Sequence, residues 1–264
     1  MREDERMTPA TPTDLRPGAE PFSSDGGRVG VLLCHGFTGS PASMTPWGRQ
    51  LASRGYSVRV PRLPGHGTTW KEMNTTRWHH WYAEVDAALT ELHGICDSVV
   101  VGGLSMGGCL ALRLAEQRPD DVAAIVLVNP AIGHARFDLK LVPVLKWLVP
   151  SMPGIGNDIK KPDQDEVGYD RTPLKALASQ VQMWKDVRDN LSKITQPVLL
   201  FTSDEDHVLD KTSQKLLLKH LSSNIKESVE LHDSHHVATI DNDAPLIFER
   251  TASFIAEHAR TTSD

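Results

Sequence analysis

The sequence predicts an α/β protein, a mostly parallel sheet flanked by helices with a helical cap inserted late in the chain. Three observations carry that reading. Short β-branched runs alternate with segments of helical period from Arg28 onward, the order that builds βαβ units. The runs are apolar almost throughout, which is the pattern of strands covered by helices on both faces. One interval, 130–195, interrupts the alternation and is too long for an ordinary loop. With 264 residues, the chain is large enough for a single domain of this kind with a sizeable core.

Taken in order, residues 1–27 are polar and rich in Pro and Gly, so this segment is expected to be partly loose, above all over its first 15 or so residues. The core is expected to comprise 28–129 and 196–264. Strands are predicted at 29–34, 56–60, 98–103, 122–128, 198–201 and 227–231, with helices near 43–54, 78–93, 106–117, 211–221 and 245–258. No strand is predicted within 130–195. There the apolar residues from Phe137 to Val149 are interrupted by Pro143 and followed by Pro150 and Pro153, which points to short broken helices. An amphipathic stretch over 174–191 predicts a longer helix. Together they read as a cap over a site.

Composition removes several function classes. Hydrophobic residues at 39% and charged residues at 23% are those of a globular chain, not a disordered or fibrous one. A net charge of -6 provides no basic face to neutralise a row of phosphates, so no nucleic-acid partner is expected. No stretch approaches the roughly 20 apolar residues of a membrane span, and the charged N-terminus lacks the apolar centre of a signal peptide; the expected location is the cytoplasm. Cys34, Cys96 and Cys109 make neither a set of pairs nor a metal-ligand spacing and read as buried thiols. With no H-E-x-x-H and no G-x-G-x-x-G, neither a metal nor an organic cofactor is expected.

The chemistry begins at Gly103-Leu-Ser-Met-Gly107, a G-x-S-x-G turn between a predicted strand and a predicted helix. Such a turn holds its serine in a strained backbone geometry, and side chains at Gly103 and Gly107 would meet neighbouring backbone. Ser105 is the expected nucleophile. A serine hydroxyl needs a base within hydrogen-bond reach and a carboxylate to orient that base, in the chain order serine, acid, histidine. After the strand at 198–201 stand Asp204, Glu205 and Asp206; after the strand at 227–231 stand His232, His235 and His236. Spacing alone leaves both choices open, and His207 beside the acids reads as structural. Two backbone N–H groups must hold the oxyanion: Met106, next to the nucleophile, and Phe37, in the Gly-rich turn after the first predicted buried strand. His35 precedes Ser105 and reads as a structural hydrogen-bonding group, while Cys34 and His35, adjacent on a strand, point to opposite faces.

The blocks HGFTG (35–39), LPGHG (63–67), GLSMGG (103–108), SDEDHV (203–208) and HHVATID (235–241) together resemble the α/β-hydrolase superfamily, in particular its bacterial monoacylglycerol lipases and small carboxylesterases. The likeness runs over nearly the whole chain from Gly18. It implies the α/β-hydrolase fold with a cap. In that family the acid stands three residues after a small residue and two before an apolar pair, which selects Asp206. The histidine directly precedes a V-x-T-x-D block, which selects His236 and leaves His235 where relatives often carry Gly or Tyr. The resemblance also aligns Asn129, Ile155 and Glu166 with residues near the glycerol end of a monoacylglycerol, although Glu166 lies in a charge run, Asp163-Gln-Asp-Glu-Val, that in most proteins is solvated. The implied activity is a serine carboxylic ester hydrolase acting through an acyl-enzyme, a monoacylglycerol lipase or carboxylesterase on esters of one acyl chain, without cofactor, with transient lipid-surface contact through the cap. A C–C bond hydrolase or cofactor-free haloperoxidase of the same fold, or a non-catalytic binder of hydrophobic small molecules, are the alternatives.

Overall fold

The computed structural model describes residues 15–134 and 141–260. Its elements run β1 (Phe22–Ser24), β2 (Val29–Cys34), α1 (Thr45–Ser53), β3 (Ser57–Val60), α2 (Trp70–Met73), α3 (Trp78–His93), β4 (Ser98–Leu104), α4 (Met106–Gln117), β5 (Ala124–Val128), α5 (Val142–Leu145), β6 (Ser151–Pro153), β7 (Arg171–Pro173), α6 (Leu174–Asn190), β8 (Val198–Ser203), α7 (Thr212–His220), β9 (Lys226–Leu231) and α8 (Ala244–His258).

Seven strands form one sheet in the order β1-β3-β2-β4-β5-β8-β9. All neighbours are parallel except β1, which pairs antiparallel with β3 at the edge. The continuous apolar runs have a simple cause. Successive side chains of a strand face opposite ways, and each face of this sheet has its own core. Leu32, Cys34, Val99, Val101, Ile125 and Leu127 join the core beneath α3, α4 and α6. Val31, Leu33, Val100, Val126 and Val128 join the other, beneath α1 and α8. All three cysteines are buried free thiols, and Cys34 lies in the first of these cores.

Of the segment expected to be partly loose, residues 1–14 lie outside the described residues; within 15–27, Arg16 N–H donates to Gly67 O, Ala19 is fully buried, and Phe22–Ser24 is a strand. Two expectations need correction. β9 is not buried on both faces; as an edge strand it alternates exposure, which is why Lys226, Glu227 and Glu230 occur in it. Segment 130–195 does contain strands, the antiparallel pair β6–β7 in which Ser151 faces Pro173. Each has only three residues, too few for a periodicity. Phe137 and Leu139 lie outside the described residues. Beyond them Val142–Leu145 is a single helical turn, and Val144, Trp147 and Leu148 are exposed. The predicted long helix is α6.

This segment is moored to the loops at the C-terminal ends of the strands, where sites form in open parallel sheets. Tyr169 N–H donates to Thr38 O, Ser40 Oγ–H to Glu166 O, and Trp78 N–H to Ser179 Oγ.

Candidate active site

Strand β4 ends and α4 begins at Ser105, whose φ of 53° and ψ of -116° lie in a left-handed region that costs a non-glycine residue of the order of 1–3 kcal/mol. The surroundings hold it there. Its N–H donates to Val128 O, and its carbonyl accepts from Gly108 and Ala131 N–H. The flanking glycines are required by contact: a Cβ on Gly103 would lie 2.2 Å from the carbonyl of Gly107, and one on Gly107 would lie 1.9 Å from Cys34 O. That second approach is the packing of α4 against the end of β2, and it brings the 35–39 loop beside Ser105; a Cβ on Gly36 would stand 3.5 Å from Ser105 Cβ.

Ser105, Gly36, Phe37 and His236 line one cavity of about 240 Å³. Behind His236, its Nδ1 donates to Asp206 Oδ2 at 2.7 Å. The other oxygen of Asp206 accepts the N–H groups of Val208 and Leu209 at 2.8 and 2.7 Å, so the turn after β8 aims the carboxylate at the imidazole. Burial alone would push Asp206 up and His236 down. The charge of each partner and the hydrogen bond between them outweigh burial, leaving Asp206 below the usual carboxylate range and His236 above the usual histidine range. The competing residues are elsewhere: Asp204 and His232 pair with each other at the exposed surface, and Glu205 is exposed.

Met106 is the first residue of α4, so its N–H has no acceptor within the helix. Phe37, like Ser105, reaches the cavity. His35 is buried with both ring nitrogens engaged, Nδ1 donating to Gly36 O and Nε2 accepting Leu63 N–H; burial lowers its pKa to about 4, so it stays neutral and shapes this loop.

Among the residues expected at the alcohol end, Ile155 and Glu166 line the cavity, Ile155 at an exposed position and Glu166 buried. Glu166 is therefore not solvated despite its charge run. Its Oε1 accepts Asn157 N–H at 3.0 Å, and a Cβ on Gly39 would meet its other oxygen at 2.7 Å. Burial pushes its carboxyl above the usual range, against the pull of the Asn157 N–H and of His236. Asn129 is placed differently from the expectation. It does not line this cavity; its Nδ2–H donors go to Ser203 Oγ and His236 O, behind the histidine loop. The rest of the wall is largely apolar, with Leu145, Leu174, Leu177 and Trp184 from segment 130–195 and Leu209 from the core, and is interrupted by Thr38, His134, Asp158, Thr172 and Gln180.

Two residues that hold the site were missed in the sequence. Asp241, 1% exposed, accepts the N–H groups of Lys160, Lys161, His235 and Asn242, joining segment 130–195 to the histidine loop. Its signal was present as the last residue of HHVATID. Asp158 Oδ2 accepts the N–H groups of His207 and His236, and nothing in its local sequence marks it.

Residues 27–243 match the Hydrolase_4 family, described as serine aminopeptidase, S33. Over 242 residues the chain is 42% identical to the thermostable monoacylglycerol lipase of Bacillus sp. (strain H-257), covering 92% of this chain and 96% of that protein. It is 26% identical to a carboxylesterase of Bacillus subtilis (strain 168), with 89% and 96% coverage. Among solved structures, one of the metagenome-derived lipolytic enzymes described as LipS and LipT superposes with a TM-score of 0.89 at 40% identity, covering 92% of this chain and all of that one. The strand order, the nucleophile-type turn between β4 and α4 and a match over residues 27–243 agree: the chain belongs to the serine aminopeptidase S33 family of α/β hydrolases.

Proposed function

We propose that this chain hydrolyses carboxylic esters of a single acyl chain, monoacylglycerols foremost, through an acyl-enzyme on Ser105. The observation that carries the reading is the buried Asp206–His236 hydrogen bond behind a cavity that also holds Ser105 on its strained turn. Ser105 Oγ bonds to the ester carbonyl carbon as its proton passes to His236 Nε2. The Phe37 and Met106 N–H groups receive the oxyanion, and the alcohol leaves with the proton held by His236. Water then attacks the acyl-enzyme by the same path, His236 taking its proton and returning it to Ser105. Asp206 fixes the tautomer that leaves Nε2 free to accept.

The substrate follows from the two ends of the cavity. Its apolar wall suits one acyl chain, and a buried carboxyl at Glu166 suits an alcohol that keeps free hydroxyls. Segment 130–195 is the cap that supplies most of that wall. Its outer face exposes Val144, Trp147 and Leu148, with Lys146 and Lys175 lying over the Trp147 ring, a combination fitted to brief contact with a lipid surface. No helix of the described residues is long and apolar enough to cross a membrane. We place the protein in the cytoplasm, a reading supported by its three free thiols.

The deciding experiment is a substrate-paired mutant. Glu166→Ala is expected to lower kcat/KM on a monoacylglycerol by about tenfold or more, since a buried hydroxyl left without its partner costs of the order of 1–3 kcal/mol. A p-nitrophenyl ester of the same acyl chain, having no glycerol, should be nearly indifferent. Equal losses on both would reduce Glu166 to a support of the Asn157 loop and remove the argument for a glycerol subsite.

The pH profile tests the base. His236 works only when neutral, and its pKa is raised, so activity is present above that raised value and is lost as pH falls through it. In chelator-treated enzyme, kcat/KM should rise through one ionisation above the ordinary histidine value and then level off. A profile flat across the histidine range would exclude an imidazole base.

A further inference from the structure

Outside the proposed mechanism, but sharing Asp158 with the wall of the Ser105 cavity, lies a cluster of three ligand-type side chains to which the reaction assigns no step. Asp158 comes from the cap, His207 directly follows Asp206, and His235 directly precedes His236. Their ligand-capable atoms all lie within 4.8 Å of one another. Asp158 is preorganised. Its side chain is 8% exposed, and its Oδ2 is held by the N–H groups of His207 at 3.1 Å and His236 at 3.2 Å, which turns Oδ1 toward the two rings. Oδ1 stands 2.7 Å from His207 Nδ1 and 3.6 Å from His235 Nδ1. The rings meet edge to face, with centroids 4.5 Å apart.

On the far side of both rings lies the carboxylate of Glu205, one oxygen for each: Oε1 is 3.9 Å from His207 Nε2 and Oε2 is 3.6 Å from His235 Nε2. Both gaps exceed a hydrogen bond, and a turn of this exposed side chain would let it accept Nε2–H, the contact by which an outer carboxylate leaves Nδ1 of a metal-bound imidazole to the ion. Lys160 Nζ, 3.6 Å from Glu205 Oε2, offsets part of that carboxylate's charge. Hydrogen bonding within the protein accounts for only half of the cluster. It satisfies His207 Nδ1, whereas the imidazole of His235 stands 3.6 Å from each carboxylate, beyond hydrogen-bond range.

We propose that Asp158, His207 and His235 bind a divalent transition-metal ion of the Zn²⁺ type through Oδ1 and the two Nδ1 atoms, with water completing the coordination. In a tetrahedral site with bonds of about 2.0–2.1 Å the ligand atoms are about 3.3–3.5 Å apart, within an ångström of the two distances from Asp158 Oδ1 to the histidine Nδ1 atoms. On binding, the proton between His207 Nδ1 and Asp158 Oδ1 gives way to the ion: a doubly protonated ring releases it to solvent, and a neutral ring exchanges it through solvent for one on Nε2, so that a neutral imidazole ligates in either case. Two imidazoles and one carboxylate select a borderline ion over Mg²⁺ or Ca²⁺, which favour all-oxygen shells. The exposed edge of His207 gives the ion a way in. Bound there, it would tie the cap to the loops after β8 and β9 without touching Ser105, so it is a structural staple rather than a participant in ester cleavage.

The test is a titration of chelator-stripped enzyme with ZnCl₂, read by calorimetry and by the thermal midpoint. The expected result is one ion per chain and, at about a hundred times Kd, a rise in midpoint of roughly 5–10 °C that MgCl₂ does not reproduce. His207→Asn and His235→Asn should each weaken binding by at least tenfold, while His232→Asn, in the separate exposed cluster with Asp204 and Glu230, should leave it unchanged. No binding, an equal response to MgCl₂, loss of the shift only in His232→Asn, or an undiminished shift in the His207/His235 double variant would each overturn the proposal. Should either single variant lose its fold, CoCl₂ added to the wild-type enzyme decides. The intense visible bands of a four-coordinate ion support the site, and only the weak bands of an octahedral ion refute it.

Discussion

Ser105→Ala is expected to lower kcat by up to about 10⁶-fold while leaving the fold intact, measured on a p-nitrophenyl ester with the thermal midpoint as control. The size of the effect follows from what the hydroxyl does, and the intact fold from what it does not do. Alanine keeps the Cβ at φ 53°, so the strain of the turn, the packing of α4 on β2 and the backbone hydrogen bonds of residue 105 are unchanged. Only the atom proposed to form the acyl bond is lost. His236→Ala removes the base instead, and the Ser105/His236 double variant should be little worse than either single one, because the members act as a unit. The residue of activity, about 10³–10⁴ over water, comes from the oxyanion donors and binding. A folded Ser105→Ala enzyme with more than a few per cent of its turnover would require another nucleophile.

Asp206→Asn should cost about 10⁴-fold in kcat, against a change of no more than a few-fold for Asp204→Asn. The reason is a tautomer. Asparagine can still offer its carbonyl oxygen to the N–H groups of Val208 and Leu209, which leaves its amide N–H₂ facing His236 Nδ1. That nitrogen must then accept, the ring proton moves to Nε2, and Nε2 can no longer take the proton of Ser105. Loss of the neighbouring negative charge also removes what raises the histidine, so the rising limb of the pH profile should move to lower pH. Asp204 lies at the surface with His232 and has no such connection. The opposite ranking of the two variants would relocate the acid.

Most of the core was readable because both faces of the sheet are dry. Strands such as Ser98–Leu104 and Ala124–Val128 announce themselves as unbroken apolar runs, and the helices between them by their period. What escaped were elements defined by a partner rather than by their own pattern. Phe22–Ser24 becomes a strand because β3 offers it an open edge, and Ser151–Pro153 because Arg171–Pro173 lies alongside it. Trp70–Met73 is a single turn capped by Thr69, too short for a period to show.

The candidate site divides in the same way. By itself the sequence determined the nucleophile-type turn at Ser105: the G-x-S-x-G spacing lies between strand and helix patterns, and Gly103 excludes a side chain through the local approach of Gly107, although Gly107 itself is required by the packing of α4 on Cys34 of β2. It also determined that an acid and a histidine must follow in that order after two later strands. Choosing among three carboxylates and three histidines within a few residues of one another was a question of direction. Spacing could not answer it; the family resemblance selects Asp206 and His236, and the tertiary structure supplies the physical reason, since β8 and β9 end side by side and their turns bring Asp206 and His236 together at 2.7 Å while Asp204 and His232 turn outward to solvent. The same holds for Asn129, Glu166 and Asp158. Whether a polar side chain meets water, substrate or another loop depends on which segments pack over it, and those segments lie far away along the chain: Glu166 is buried over Gly39, Asn129 reaches the histidine loop, and Asp158 accepts the backbone N–H groups of His207 and His236, which no local spacing connects to it.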